Sequence, residues 1–159
     1  MGFSINLTLD DLLHTPTVSF LRSKLDESGL ADRLMIEIVE SEGIENFQEV
    51  REFVADMKGR GCKIAIDDFG SGYSNFAYLM ELNVDCIKID GSLIKTMDQD
   101  KNSKIITSTI LDFSRQLEIT TVAEFVHNQA VLDSVRNMGI DYVQGFYLGE
   151  PEPIESLVI

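Results

Sequence analysis

The stretch "IAIDDFGSGYS", Ile64–Ser74, places two adjacent aspartates, Asp67 and Asp68, between a short apolar run and a glycine-rich turn. A short apolar run of this kind is typical of a strand that is buried on both faces of a parallel sheet. Two ionised carboxylates side by side raise each other's pKa unless a cation neutralises them. The stretch therefore predicts a buried strand that ends at a cation site.

Similar apolar runs recur along the 159 residues and alternate with longer amphipathic segments. Alternation of strands and helices is typical of right-handed βαβ units. The predicted strands are Ser4–Leu7, Leu34–Val39, Lys63–Ile66, Cys86–Ile89, Thr120–Ala123 and Tyr142–Leu148.

Helix signals lie between these strands. Thr15 is predicted to cap a helix that continues through Pro16 and ends at Gly29. Asn46 and Glu49 resemble a capping box at the start of the next helix. Apolar residues at helical spacing predict three buried faces: Val50, Phe53, Val54 and Met57; Ile105, Ile106, Ile110 and Phe113; and Val131, Leu132 and Val135.

Six strands could form an open doubly wound sheet or part of a closed eight-stranded barrel. The polar residues in and after the strands decide for the barrel, because the carboxyl ends of all barrel strands converge on one face. We therefore predict an α/β fold, a TIM-type (β/α) barrel, with its site on that face. The polar residues are Asn6, Glu37, Glu40, Asp67, Asp68, Lys88, Asp90, Glu124 and Gln144.

Glu37 and the aspartate pair indicate a metal site. An acid that follows a strand often only begins a loop, but Glu37 interrupts an apolar run, where a lone buried carboxylate costs several kcal/mol. Clustered carboxylates without His or Cys favour Mg²⁺ or Mn²⁺, and two such ions can promote in-line displacement at phosphorus. Lys88 would then contact the water or phosphate, or serve as a counter-ion to the aspartates.

The composition limits the partners. A net charge of −14 argues against binding of nucleic acid polymers or anionic lipid. No apolar stretch reaches about 18 residues, so we expect no direct membrane insertion and a cytoplasmic location, with any membrane attachment supplied by other domains. Cys62 and Cys86 have no metal-ligand spacing and are interpreted as reduced packing residues.

Five motifs resemble, in order and over nearly the whole chain, those of the EAL-domain family: "IEIVES", "IAIDDFGSGYSNFAYL", "VDCIKIDGSLI", "TVAE" and "VQGFYLGEP". Members of this family are bacterial phosphodiesterases that cleave cyclic-di-GMP to the linear dinucleotide pGpG. The resemblance implies a modified TIM barrel and catalysis with two Mg²⁺ or Mn²⁺ ions. An unrelated barrel enzyme acting on a phosphorylated metabolite is a minor alternative.

The resemblance also implies a ligand set. Asn6 and Glu37 resemble ligands of one metal, and Asp67 resembles the carboxylate that bridges both ions. Asp68 and Glu124 resemble ligands of the second metal.

Four further roles follow from the same resemblance. Lys88 resembles the lysine that contacts the attacking water, and Gln144 the glutamine near the metal-bound waters. With Glu124, these two form the expected catalytic set. Glu40 resembles the glutamate that stabilises the loop after Asp68. The expected substrate-binding residues are Gly70, Ser71, Gly72 and Gln144.

The sequence departs from the family pattern in two places. The family's A-E-G-V-E-T is "AEFVHN" here, which retains Glu124 but introduces Phe125 and His127. His127 either alters the site loop or is an exposed residue that caps the following helix. The tripeptide E-A-L, whose glutamate is a metal ligand in the family, does not occur.

We therefore expect residues 1–159 to be the C-terminal two-thirds of a single domain that lacks its N-terminal strands. Such a chain would be inactive alone and would form a homodimer or larger oligomer through its open sheet edge. The competing hypothesis is a degenerate module that acts as a non-catalytic cyclic-di-GMP sensor or protein-interaction domain.

Overall fold

The computed structural model of the protein describes residues 2–39, 47–72 and 76–153. In this part of the chain, parallel strands alternate with helices. The strands are β1 (Phe3–Leu7), β2 (Leu34–Val39), β3 (Lys63–Phe69), β4 (Cys86–Ile89), β5 (Thr120–Ala123) and β6 (Tyr142–Val143). The helices are α1 (Leu9–Leu13), α2 (Thr15–Ser28), α3 (Phe47–Gly59), α4 (Phe76–Leu82), α5 (Gly91–Thr96), α6 (Lys101–Gln116) and α7 (Gln129–Met138), with a 3₁₀ turn at Ala31–Arg33.

The order of the strands distinguishes the two predicted folds. The six described strands form one sheet in the order β1-β2-β3-β4-β5-β6, and every neighbouring pair is parallel. A doubly wound sheet reverses its order at a switch point, whereas a barrel adds each strand beside the previous one. The predicted TIM-type α/β architecture is confirmed.

Each central strand has two different faces. One face carries Ile36, Ile64 and Ile87, which are fully buried and belong to the hydrophobic core. The other face carries Glu37 and Lys88, whose side chains contact each other. We call the first the outer face and the second the inner face. Side chains alternate between faces along a strand, so each short strand contributes both to the core and to the site.

Three strand boundaries differ from the prediction. β1 begins at Phe3, one residue before the predicted start at Ser4. β3 continues through both aspartates to Phe69. β6 ends at Val143, five residues before the predicted end at Leu148. At Gly145 a Cβ atom would overlap the backbone of Val126, so the chain can turn closely there only because the residue is glycine.

Most of the helix predictions hold. Gly29 ends α2 in the left-handed conformation, with φ 64°. Thr15 is the first residue of α2, so its predicted capping role is wrong, and His14 occupies the cap position. Asn46 lies outside the described residues. Both predicted faces of α3 and α7 are buried: Val50, Phe53, Val54 and Met57, and Val131, Leu132 and Val135.

Helix α6 buries only part of its predicted apolar face: Ile110 is buried and Phe113 packs against the core. Ile105 and Ile106 are 53% and 44% exposed, while Ser103, Thr107 and Ser114 are buried. Asp100 caps the helix and binds both the backbone N–H and the hydroxyl of Ser103. The helix therefore buries small hydroxyl side chains beside its apolar ones.

Cys62 and Cys86 are both free and buried, as predicted. Within the described ranges, no helix has the length and apolar character needed to span a membrane.

Candidate active site

A bulge in β3 brings its two aspartates to one place. The pairing with β4 shifts register between Ile66 and Phe69, and Asp68 adopts a left-handed conformation with φ 55°. In a regular strand these neighbours would point to opposite faces. Carboxylate oxygens of Asp67, Asp68 and Glu124 instead lie within 4.8 Å of one another. Asp is among the few residues that tolerate this conformation at modest cost.

Lys88 lies at the centre of the inner face. Its Nζ is 2.8 Å from Glu37 Oε2, 2.8 Å from Asp67 Oδ1 and 3.0 Å from Glu124 Oε1. An ammonium group has three donors, so all three are directed at carboxylates. Lys88 and Glu37 are buried, with 6% and 7% of their surface exposed. The three carboxylates compensate for the cost of burying the ammonium charge.

Asn6 completes the group from β1. Its carboxamide is 3.2 Å from Glu37 Oε2 and 3.3 Å from Asp67 Oδ2, and it donates to both when its nitrogen faces them. Asn6 and Glu37 are register partners in the β1–β2 ladder, which explains their proximity. Asn6, Glu37, Asp67, Asp68, Lys88 and Glu124 are called the carboxylate cluster below.

Burial and like charge perturb the acids of the carboxylate cluster. The pKa of Asp68 is raised by burial first, then by the charges of Asp67 and Asp90. Burial also raises the pKa of Glu124, and this outweighs the opposing effect of Lys88. Burial acts to lower the pKa of Lys88, but its hydrogen bonds to carboxylates prevail and raise it. Lys88 is therefore protonated at neutral pH.

The donor set fits divalent cations. Four carboxylates face one ammonium group, so the ionised cluster keeps an excess of negative charge that further cations would neutralise. The side chains form two overlapping groups: Asn6, Glu37 and Asp67, and Asp67, Asp68 and Glu124. The carboxamide of Asn6 would turn its oxygen, in place of its nitrogen, toward a bound cation. Oxygen donors of this kind suit Mg²⁺ or Mn²⁺.

A pocket of about 900 Å³ opens beside the carboxylate cluster. Asp68, Glu124 and Gln144 are among the residues that line it. Gln144 follows β6, where its N–H donates to the carbonyl of Ala123 and its own carbonyl accepts from Val126 N–H. The predicted position of Gln144 near the cluster thus agrees with the structure, while its catalytic role stays a prediction.

The predicted substrate-binding loop, Gly70–Gly72, does not line the pocket. A Cβ on Gly70 would be 2.5 Å from Leu93 Cδ1, so this residue allows α5 to pack against β3. Ser71 and Gly72 are exposed, and none of these three is among the described residues that line the pocket. Their contact with substrate stays a prediction. Glu40 lies outside the described residues.

The "AEFVHN" segment forms part of the pocket wall. Phe125 and His127 both line it. Asn128 caps α7 by accepting from Val131 N–H, so the interpretation of His127 as the cap is wrong. The ring of His127 instead lies between the carbonyl of Phe125, at 3.2 Å, and the side-chain amide of Asn128, at 3.0 Å.

Lys95 and Phe146 are among the pocket residues that were not identified from the sequence. In the sequence, Lys95 has the appearance of a basic residue in the last turn of a helix. Phe146 has the appearance of an apolar residue of the predicted strand Tyr142–Leu148. Both line the pocket because of tertiary packing. No local sequence signal distinguishes them.

The strand-end carboxylates, Asn6 and Lys88 form one cluster, and Asp68 and Glu124 of this cluster line the pocket. The sequence matches the model of a known family over residues 1–151, described as the EAL domain. The chain belongs to the EAL-domain family. It is 35% identical over 154 residues to the cyclic di-GMP phosphodiesterase PdeB of Shewanella oneidensis. The match covers 96% of this chain and 18% of PdeB, so the chain spans about a fifth of that relative's length.

Solved EAL structures share the fold. A complex of the PaMucR phosphodiesterase with c-di-GMP superposes with a TM-score of 0.90 at 30% identity, covering 99% of this chain and 64% of that one. Klebsiella pneumoniae BlrP1, in a manganese and cyclic-di-GMP complex, gives a TM-score of 0.83 at 33% identity, covering 91% of this chain and 38% of that one.

Proposed function

We propose that this EAL domain belongs to a metal-dependent phosphodiesterase that hydrolyses cyclic-di-GMP to linear pGpG with two Mg²⁺ or Mn²⁺ ions. The observation that carries this proposal is the position of Asp67, whose carboxylate belongs to both groups of oxygen donors. A carboxylate shared in this way can bridge two cations. The manganese and cyclic-di-GMP complex of the related BlrP1 supports the same chemistry.

Each donor group would hold one ion. Asn6, Glu37 and Asp67 would bind the first, and Asp67, Asp68 and Glu124 the second. A bound pair of divalent ions supplies an activated water and stabilises both oxygens of an in-line displacement at phosphorus. In the net reaction, the water oxygen forms a bond to phosphorus and the P–O3′ ester bond breaks. One water proton then goes to the released 3′ oxygen.

Lys88 acts as a fixed positive charge. It holds Glu37, Asp67 and Glu124 in place, and it offers a positive charge to the water or phosphate. Gln144, on the pocket wall, offers one acceptor and two donors for orienting the phosphodiester.

The test compares the full-length protein with its Glu124→Ala variant in cyclic-di-GMP hydrolysis with each metal. We expect the variant to lose on the order of 100-fold or more in kcat, since it removes a ligand of the second ion. Glu49→Ala, which truncates an exposed glutamate of α3, is the matched control and should be fully active. Equal activity of Glu124→Ala and the unaltered protein would remove Glu124 from the catalytic set.

The competing function is a non-catalytic cyclic-di-GMP sensor or interaction domain, which the "AEFVHN" departure favours. Glu124 nevertheless remains within 4.8 Å of both aspartates despite the neighbouring Phe125. The two functions differ in one result: a sensor binds cyclic-di-GMP with metal present but forms no pGpG.

Two predictions about residues 1–159 accompany this proposal. We expect the isolated chain to be inactive, and the hydrolysis assay tests this directly. We also expect a homodimer or larger oligomer, since Phe3 on β1 and Tyr142 on β6, the two outer strands of the described sheet, are 51% and 63% exposed. Sedimentation as a monomer over a wide concentration range would contradict the second prediction.

A further inference from the structure

Phe125 combines two features that do not stabilise the fold. Its backbone has φ 56°, in the left-handed region that bulky L-residues rarely occupy. Its side chain is 54% exposed, so little of the ring contributes to the hydrophobic core. Strained residues of this kind persist where the surrounding structure holds them, commonly at functional sites.

Neighbouring residues hold the Phe125 ring in position. A Cβ at Gly91 would lie 2.8 Å from Phe125 Cβ, so the side chain fits there only because Gly91 has none. Lys95 Nζ lies 5.3 Å from the ring centroid, within the range of a cation–π contact. The His127 ring is 5.8 Å away and bonds to the Phe125 carbonyl. The exposed ring is therefore oriented by its surroundings.

The ring faces the same space as the carboxylate cluster. Phe125 directly follows Glu124, and both line the 900 Å³ pocket together with Asp68 and Gln144. The pocket thus places an exposed aromatic surface beside the acids that would hold metal ions. A substrate suited to it would carry a phosphodiester and, next to it, a flat ring system.

We propose that Phe125 is a specificity-determining residue whose ring stacks on a guanine base of the dinucleotide, with Lys95 fixing the ring from α5. This inference rests on the proposed function, because it takes cyclic-di-GMP as the ligand. Stacking on aromatic side chains contributes substantially to base binding, and every base presents a flat face for it.

The chain contains no tryptophan, so Phe125→Trp introduces a single fluorescent reporter at this position. Titration with cyclic-di-GMP in the presence of Ca²⁺ or Mn²⁺ should quench its emission saturably. The matched control is Phe20→Trp, because Phe20 is an exposed residue of α2 that also has a lysine, Lys24, 5.8 Å from its ring. Emission from the control should not change.

A second variant, Phe125→Leu, keeps an apolar side chain but removes the flat ring. Isothermal titration should show cyclic-di-GMP binding weakened about 10-fold or more, since stacking on one base is worth about that much. The metal affinity, measured without nucleotide, should stay within about twofold.

The outcomes separate the two proposals. Unchanged affinity of Phe125→Leu, or no quenching in Phe125→Trp while calorimetry shows binding, would overturn the stacking role alone. Binding with the predicted quenching but no hydrolysis by the full-length protein would overturn the proposed function alone. If the unaltered full-length protein does not bind cyclic-di-GMP in the presence of metal, both are wrong.

Discussion

The inner and outer faces of the central strands are stabilised in different ways. On the outer face, Ile36, Ile64 and Ile87 are fully buried and each gains from transfer out of water. On the inner face, Glu37 and Lys88 are nearly as buried but carry charge. Each outer residue contributes on its own, whereas the inner residues are tolerated only because they compensate one another.

The charged residues of the inner face are better explained by function than by stability. Well-packed apolar residues of similar volume are often at least as stabilising as a buried ion pair. The carboxylate cluster instead keeps several acids around one ammonium group, at a place open to a pocket. Substitutions on the two faces should therefore affect catalysis and stability in different proportions.

The largest effect is expected for Asp67→Asn, which weakens the carboxylate shared by both donor groups. We expect hydrolysis of cyclic-di-GMP by the full-length protein to fall at least about 1,000-fold, because metal stabilisation of the transition state is worth several kcal/mol. Asp133→Asn, on the exposed surface of α7, is the matched control. Activity within about threefold of the unaltered protein would contradict the two-metal assignment.

Lys88→Met should have the next largest effect. It keeps the length of the side chain but leaves Glu37, Asp67 and Glu124 without their shared cation. We expect the free energy of unfolding in urea with EDTA to fall by about 3–5 kcal/mol. Added Mn²⁺ should recover part of that loss. A loss below about 1 kcal/mol would show that the inner residues do not depend on one another.

Ile64→Val probes the outer face of β3, the strand that also carries Asp67. Removing one buried methylene should lower the free energy of unfolding by about 0.5–1.5 kcal/mol. Hydrolysis by the full-length protein should not change, because the side chain lies on the face away from the carboxylate cluster. A drop in kcat of more than about threefold would show that the two faces are coupled.

The smallest effect is expected for Asp68→Asn, in metal-free protein. Asn tolerates the left-handed conformation of this position, so the substitution mainly removes charge. We expect the variant to be more stable at neutral pH by less than about 1 kcal/mol, since solvent screens part of the repulsion. This corresponds to a rise of about 2–4 °C or less in the melting temperature.

The pH dependence gives the sign of that effect. Folding raises the pKa of Asp68. At a pH between the unfolded and folded pKa values, the folded protein therefore keeps a proton that the unfolded chain has released. Stability from this group is complete below its ordinary pKa and is lost as the pH rises through the folded value. The melting temperatures of the unaltered protein and of Asp68→Asn, measured against pH, should therefore converge in acid and separate toward neutral pH. A difference in melting temperature that grows in acid would show that folding does not raise the pKa of Asp68.

Several elements could be predicted because their signals are local. The bounds of β2, β4 and β5 follow from short apolar runs, and Gly29 ends α2 where expected. The face of α6 could be predicted only in part. Ile110 is buried, as its spacing predicts, but Ile105 and Ile106 are exposed while Ser103, Thr107 and Ser114 are buried, and no local signal in the sequence shows this.

The site shows the same division. The alternation of strands and helices and the acids at the strand ends could be predicted, because periodicity and residue type are properties of neighbouring positions. Three features of the site could not be predicted: the bulge that brings the Asp68 carboxylate beside that of Asp67, the contacts of Lys88 with three carboxylates, and the position of Phe125 on the pocket wall. These contacts join residues that are distant in the chain or depend on a backbone turn, so their geometry exists only once the strands have paired.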